Sequence, residues 1–223
     1  MNRYLLILYL LFLHTLSSFS NQKEIILKGS GFSVLINYQT LAVNIITPDS
    51  GNIQISAPLK NEIAFIEKQG IDEAVIRYPE LRKKITFKLE DESLIVKIES
   101  SDNDIFNWPV ITKLQALTIP FYQGEYIPAH DSTWINYLNG QSYSGTQDLS
   151  MQFFALNNDR HAVVFMMTNK FNNEITFGIA KDQFTLTFKH EFPTTVCAKE
   201  YPGLVRKERW LSELKLVTIF VPG

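Results

Sequence analysis

The sequence holds very little cysteine, since Cys197 is its single thiol. One cysteine excludes an intramolecular disulfide, so a chain of this size must rely on its hydrophobic core for stability. No Asn-x-Ser/Thr sequon occurs, and the pattern gives no sign of N-glycosylation. His and Cys do not cluster at metal-ligand spacing, so we expect neither a metal site nor a cofactor.

A surplus of positive charge is also missing. The chain has 21 Lys and Arg against 23 Asp and Glu, a formal net charge of −2. Proteins that bind nucleic acid carry a basic footprint, so this balance argues against nucleic acid as a partner. No repeat recurs at a fixed period, which argues against a propeller or a solenoid.

The N-terminal twenty residues have the pattern of a secretory signal peptide. Arg3 precedes an apolar run at 4–16, and Ser18 and Ser20 occupy the −3 and −1 positions of a cleavage site. The run is shorter than the roughly 20 apolar residues that span a bilayer, and no Cys follows it as in a lipoprotein. We expect residues 1–20 to be cleaved, a secreted or periplasmic location, and no membrane association afterwards. A retained N-terminal anchor is the alternative.

Alternating apolar and polar residues dominate the rest of the chain. This period of two is typical of β-strands with one face in the core and one in water. The predicted strands are 24–28, 32–37, 41–46, 52–56, 63–67, 74–78, 84–89, 94–99, 151–156, 161–167, 174–179, 184–189 and 214–221. Strong turn sequences such as 48–51 and 90–93 separate them.

About fourteen short strands at this spacing predict an all-β fold. We expect one domain, residues 21–223, built as a large two-sheet antiparallel β-sandwich (a supersandwich), with a sub-boundary near 101–107. No helix longer than one or two turns is expected, and such turns are predicted at 79–82 and 205–211.

The amino-acid composition changes in the middle of the chain. Residues 107–145 are richer in aromatics, Pro and Gly and poorer in Lys and Glu, so we expect long loops between strands there. Trp108 and Pro109 are expected to anchor the chain where it crosses from one half to the other. Asp102–Asp104 and Asn157–Asp159 resemble fragments of calcium loops, but neither has the full ligand ladder, and both are interpreted as turns.

One stretch collects more potential ligand-binding side chains than any other. From Leu117 to Trp134, an apolar run meets Pro120, and aromatic rings, a glycine, carboxylates and a histidine follow. Aromatic faces can cover the C–H side of a sugar ring, while carboxylates, amides and imidazoles bind its hydroxyls. We predict a carbohydrate site here, or alternatively an aromatic loop that only caps the core. The candidate ligand-binding residues are Tyr122, Gly124, Glu125, Tyr126, His130, Asp131, Trp134 and Tyr137, with Asn136, Asn139, Gln141 and Tyr143 extending the same chemistry.

Catalysis has weaker support in the sequence. Glycoside hydrolysis commonly needs two carboxylates across the scissile bond, and spacing alone does not place Glu125 and Asp131 opposite each other. A sugar epimerase or mutarotase would need an acid–base pair, such as one of these carboxylates with His130 or His161. His161 is predicted to be an edge residue and His190 to be solvated. We therefore assign no catalytic residue.

Four short patterns carry a family resemblance. They are Leu117-x-Ile-Pro-x-x-x-Gly-Glu-Tyr-Ile-Pro128, Trp134-x-x-Tyr137, Met151-Gln-Phe-Phe-Ala155 and His161-Ala-Val-Val-Phe165. Together they resemble the N-terminal β-supersandwich domain of large glycoside hydrolases. In those enzymes this domain is similar to galactose mutarotase and precedes a (β/α)8 barrel.

The resemblance implies that catalytic carboxylates lie on the barrel and that the sandwich forms one wall of the substrate cleft. Gly124, Glu125 and Tyr126 would lie at or near that wall. The sequence stops at Gly223, where a barrel would begin. We therefore expect a carbohydrate-binding domain that is not catalytic alone and that acts with a missing or separate (β/α)8 domain. The alternatives are a stand-alone mutarotase-like sugar isomerase and an envelope structural or interaction module without a small ligand.

Overall fold

The computed structural model describes residues 23–49, 51–121, 124–144, 153–157, 161–167, 173–180, 183–192 and 211–220. The expected signal peptide lies outside these ranges. Within them the chain forms seventeen strands and one helix, α1 (Ser132–Leu138). The strands are β1 (Glu24–Lys28), β2 (Ser33–Asn37), β3 (Ala42–Ile46), β4 (Asn52–Ser56), β5 (Phe65–Gln69), β6 (Glu73–Tyr78), β7 (Lys83–Glu90), β8 (Ser93–Ser100), β9 (Ile105–Ile111), β10 (Ala116–Ile119), β11 (Glu125–Pro128), β12 (Ser142–Ser144), β13 (Phe153–Asn157), β14 (His161–Met167), β15 (Asn173–Ala180), β16 (Gln183–Glu191) and β17 (Leu211–Phe220).

The described strands pair antiparallel into three hydrogen-bonded sheets. The large sheet has the order β11-β10-β13-β14-β17-β8-β7-β6-β5. The first small sheet has the order β1-β2-β3-β4, and the second small sheet has the order β12-β15-β16-β9. The all-β fold class that the alternation predicts is therefore confirmed.

The core follows from the strand periodicity. In β7, Ile85 and Phe87 are fully buried, while Lys84, Thr86 and Lys88, which alternate with them along the strand, are partly exposed. Successive side chains of a strand point to opposite faces of the sheet, so a sequence that alternates in polarity buries one face only. The same alternation recurs in the neighbouring strands β6 and β8.

The number of sheets differs from the two that the sequence predicts. β4 and β9 lie side by side, and the Ala57 N–H donates to the Val110 carbonyl at 2.6 Å. The ladder does not continue, because Pro109 has no N–H and the Val110 N–H donates to the Ser56 hydroxyl oxygen instead, at 3.2 Å. The two small sheets are therefore adjacent without forming one continuous ladder.

The prediction of long loops over 107–145 is wrong. This segment contains most of β9, all of β10 and β11, the helix α1 and β12. β10 and β11 have four residues each and β12 has three. The sequence indicates β10 only as an apolar run before Pro120. Strands as short as β11 and β12 give no clear period-two pattern, so the sequence does not reveal them.

The helix α1 is also a departure from the prediction, which allowed no helix in this segment. It begins after Asp131 and buries Ile135 and Leu138, which are three residues apart and share one face. Two turns are too few to produce a recognisable helical periodicity. No helix within the described ranges is long and apolar enough to cross a membrane.

Trp108 is the structural anchor that the sequence predicts. Its side chain is fully buried, and its Nε1–H donates to the Leu41 carbonyl at 2.9 Å, linking β9 to the residue before β3. The Phe87 ring of β7 meets it edge-on, with the centroids 5.8 Å apart. Trp108, itself in the second small sheet, therefore contacts the large sheet and the residue next to the first small sheet.

His190 is buried, and the prediction that it is solvated is wrong. It lies on β16 with 2% exposure, and its Nε2 is 2.6 Å from the Trp108 carbonyl oxygen. Burial lowers the pKa of His190 to about 4, although the hydrogen bond to Trp108 raises it. The sequence around it, Lys189-His-Glu191, looks polar because its neighbours point to the other face of the strand.

A buried lysine joins β7 to the turn before β9. The Lys83 side chain is 1% exposed, and its Nζ donates to Asp104 at 2.7 Å and to the Leu81 carbonyl at 3.0 Å. It also lies 5.1 Å from the centre of the Phe192 ring. Asp102–Asp104 thus lie in a turn, as predicted, with Asp104 bound to an ammonium group.

We expect Asp104→Asn to lower the free energy of unfolding by about 2 kcal/mol, because a buried ammonium loses its carboxylate partner. Asp102→Asn in the same turn is the matched control. Its partner Arg82 is 64% exposed, so its loss should cost at most about 0.5 kcal/mol. Urea denaturation measures both values, and equal losses would contradict this role of Lys83.

His190 should make the fold sensitive to acid. The unfolded state, with its ordinary pKa of 6.5, binds the proton between pH 6.5 and about 4, and the folded state does not. The contribution of His190 to the free energy of unfolding is therefore complete above pH 6.5. It is lost as the pH falls to about 4, by up to about 1.4 kcal/mol per pH unit.

Urea denaturation at a series of pH values across this window measures the slope. His190→Gln should flatten it, whereas His130→Gln, at an exposed position, should keep the wild-type slope. If His190→Gln has the wild-type slope, the acid sensitivity arises elsewhere.

Candidate functional site

The β10–β11 hairpin forms one edge of the large sheet and carries the first candidate residues. Ile119 of β10 pairs with Glu125 of β11. Between them Gly124 has φ +96°, a left-handed conformation that glycine adopts without steric cost. The Gly124 N–H donates to the Phe121 carbonyl at 2.7 Å and closes the turn. Tyr122, another candidate, lies outside the described residues.

The strand β11 presents its candidate residues on opposite faces. Glu125 is partly buried on the face that it shares with the fully buried Ile127. Tyr126 points the other way and is 63% exposed. It is paired with Thr118, whose hydroxyl accepts a hydrogen bond from Asn157 Nδ2 at 2.9 Å. The ring that is open to a ligand on this strand is therefore that of Tyr126.

Asp131 is the N-cap of α1. Its Oδ1 accepts hydrogen bonds from the backbone N–H groups of Thr133 at 2.9 Å and Trp134 at 3.2 Å. These two donors have no partner inside the helix, so the carboxylate stabilises the first turn. His130 is exposed in the turn just before it. Asp131 therefore stabilises the N-terminus of α1, a role separate from the ligand binding that the sequence predicts for it.

The two aromatic residues of α1 differ in exposure. Trp134 is partly buried and packs against the core, while Tyr137 is 64% exposed. Their ring centroids are 5.9 Å apart with the planes at 81°. Because the two rings lie three residues apart on the helix, Trp134 supports the ring of Tyr137 from the side.

The C-terminal end of α1 is fastened to the second small sheet. The Gly140 N–H donates to the Phe177 carbonyl at 3.0 Å, and the Phe177 N–H donates to Gln141 at 2.9 Å. The Tyr143 ring lies between Phe121, at 4.6 Å, and Phe177, at 5.7 Å. The helix therefore bridges the edge strand of the large sheet and the edge strand β12 of the second small sheet.

Exposed neutral polar side chains accompany these rings. They are the amides and hydroxyls of Thr133, Asn136, Asn139, Gln141 and Ser142. We call the exposed side chains of residues 125–142 the β11–α1 surface. It combines flat apolar rings with groups that both donate and accept hydrogen bonds.

His161 has a partner that the sequence did not indicate. Its Nε2 lies 3.2 Å from Asp49 Oδ2, in the turn between β3 and β4. The Thr47 hydroxyl, which donates to Asp49, holds the pKa of this carboxyl below its ordinary value, and the charge of His161 adds to the effect. The prediction of an edge position for His161 is wrong, because β14 lies between β13 and β17. A separation of more than one hundred residues leaves no local signal for such a pair.

Asp49 and His161 are ligand types for metal ions, but two side chains are fewer than a structural site uses. Within the described ranges, no group of three or more His, Cys, Asp or Glu side chains could hold a metal ion. The exposed rings, amides and hydroxyls of the β11–α1 surface can stack on a ligand and hydrogen-bond to it.

No family model matches the sequence, and no curated protein is detectably similar to it. Solved structures do show similarity. The alpha-N-acetylgalactosaminidase NagBb from Bifidobacterium bifidum, in its ligand-free form, superimposes with a TM-score of 0.60 at 12% identity over 87% of this chain. The chain spans only 36% of the length of NagBb. A galactose mutarotase-like protein from Lactobacillus casei superimposes with a TM-score of 0.50 at 10% identity, over 89% of this chain and 100% of its own.

These similarities concern the fold, since the identities are far below the level at which a function can be transferred. As similarities of fold, they confirm the resemblance that the sequence patterns predict. The chain has the fold of a galactose-mutarotase-like domain of the kind that glycoside hydrolases contain.

Proposed function

We propose that this chain is a carbohydrate-binding β-sandwich domain and that its ligand binds at the β11–α1 surface. The observation that carries the proposal is the pair of exposed rings, Tyr126 at 63% and Tyr137 at 64% exposure, on two consecutive elements. A tyrosine side chain offers both an apolar face, which can stack on a sugar ring, and a hydroxyl, which can hydrogen-bond to it.

The surface is held in place before any ligand arrives. Asp131 caps the start of α1, and Gly140 and Phe177 fasten its end. Trp134 fixes the side of the Tyr137 ring. Binding to a rigid surface loses less conformational entropy than binding to a mobile loop, which favours a recognition role.

The proposal includes the two-layer arrangement of a supersandwich, in which the two small sheets together face the large one. Two sets of contacts support it. Phe154 of the large sheet packs on Phe188 of the second small sheet, with centroids 5.1 Å apart. Tyr78 of the large sheet donates its hydroxyl to the Tyr38 carbonyl, beside the first small sheet, at 2.8 Å. Both contacts cross the core between the layers.

We also propose that the protein is secreted and acts beside a (β/α)8 catalytic domain. The apolar run after Arg3 supports secretion. The size of NagBb, of which this chain spans 36%, supports a partner domain. On this proposal the domain contributes binding energy, and catalytic groups come from the partner.

Tyr126→Ala and Tyr137→Ala should each weaken binding of an oligosaccharide by about 1–2 kcal/mol, which is five- to thirty-fold in Kd, because each removes a stacking face. The double variant should lose detectable binding. Isothermal titration of the wild type with a panel of oligosaccharides identifies the ligand, and titration of the variants measures the loss.

Phe65→Ala is the matched control, since Phe65 is 51% exposed on β5, at the opposite edge of the large sheet. It should bind like the wild type. If no oligosaccharide binds to the wild type, the proposed function is wrong. If the tyrosine variants bind normally, the site lies elsewhere.

Asp131 separates a structural role from a ligand-binding role. Asp131→Asn keeps an oxygen that can cap the helix. It should leave the free energy of unfolding unchanged and the Kd for the oligosaccharide within about twofold of the wild type. Asp131→Ala should lower the free energy of unfolding by about 1 kcal/mol through loss of the cap. If Asp131→Asn abolishes binding at unchanged stability, the carboxylate contacts the ligand directly.

A further inference from the structure

The β11–α1 surface lies in a part of the chain without cationic side chains. From residue 114 to residue 159 the sequence contains no Lys and no Arg, although the whole chain has 21 of them. The first such residues on either side are Lys113 and Arg160. The helix α1 itself has no acidic residue in its first turn and no basic residue in its last.

Among the described residues, this surface and the strand beside it carry carboxylates and one ion pair. Asp131 contributes the carboxylate that caps α1, and Glu125 lies on the other face of β11 from Tyr126. Across the β12–β15 pair, Ser144 lies opposite Glu174, whose carboxylate accepts a hydrogen bond from Lys189 Nζ at 3.1 Å. The ammonium of Lys189 is thus compensated by its own strand neighbour.

We propose that the β11–α1 surface selects uncharged glycans and discriminates against glycans with carboxylate or sulfate groups; this inference rests on the carbohydrate-binding function proposed above. Carboxylates and sulfates are bound in proteins by Arg and Lys through charge-assisted hydrogen bonds. An anionic sugar at this surface would lose hydration and would find no Lys or Arg among residues 125–142, which form the surface.

The exposed amides and hydroxyls suit a neutral ligand. Asn136, Asn139 and Gln141 each offer two N–H donors and a carbonyl acceptor. A sugar hydroxyl is itself both donor and acceptor, so it can be satisfied by these groups in more than one orientation. Hydrogen bonds between neutral groups are weakly affected by salt, which gives the proposal a second signature.

The test titrates the full chain with a panel of neutral oligosaccharides and with sulfated derivatives of the same backbones. We expect the sulfated form to bind at least about tenfold more weakly than its neutral parent. Binding of the neutral ligand should change by less than about twofold between about 0.05 and about 0.5 M NaCl.

Two variants sharpen the comparison. Asn136→Lys places a cation on the exposed side of α1 and should raise the affinity for the sulfated form several-fold, with a strong salt dependence. Glu125→Gln is the control, because this side chain lies on the other face of β11 from Tyr126, and the ratio of the two affinities should stay as in the wild type. Circular dichroism spectra like that of the wild type confirm that both variants fold.

The outcomes separate the two proposals. Equal or tighter binding of the sulfated form by the wild type would overturn the selectivity and leave the carbohydrate-binding function intact. Failure of every probe, neutral and sulfated, would overturn the binding function and the selectivity with it.

Discussion

The fold depends on the burial of Trp108 between the three sheets. Its indole N–H donates to Leu41 beside the first small sheet, and its ring meets Phe87 of the large sheet. Its own carbonyl accepts a hydrogen bond from the ring of His190 in the second small sheet. A buried indole with an unsatisfied N–H would cost free energy, so the position of Leu41 is tied to that of β9. One side chain thus fixes how strands that share no continuous ladder lie against each other.

Because Trp108 anchors the sheets at their centre, the edge strands are the places where function can vary. At one rim β5 has no buried residue and is paired on one side only. At the other, β11 is followed at once by α1, which crosses to β12. The helix thereby closes the gap between two sheet edges with two buried residues, Ile135 and Leu138. Of its other residues, Trp134 packs against the core, whereas Asn136 and Tyr137 face solvent.

The sequence predicts most strands but not their partners. Alternation over six to eight residues located β6, β7 and β8 to within a residue or two, because one face of each is in the core. The pairing of β17 with β8 joins residues more than one hundred positions apart, and its pairing with β14 joins residues 47 to 59 positions apart. No local pattern encodes either pairing. The same holds for the contact of Asp49 with His161. His190 was misjudged because its charged neighbours in the chain point to the other face of the strand.

The candidate site shows where composition is informative and where it is not. A count of residue types located the segment around Tyr126 and Tyr137, since aromatics and amides gather there without Lys or Arg. It did not separate the roles, because Asp131 and Tyr137 look equally suited to a sugar until backbone donors are placed near one of them. The cap uses a carboxylate to hold the helix, and this leaves neutral groups and rings to face outward. A surface without Lys or Arg, held by a capped helix at a sheet edge, favours recognition through shape and paired hydroxyls over recognition of anionic groups.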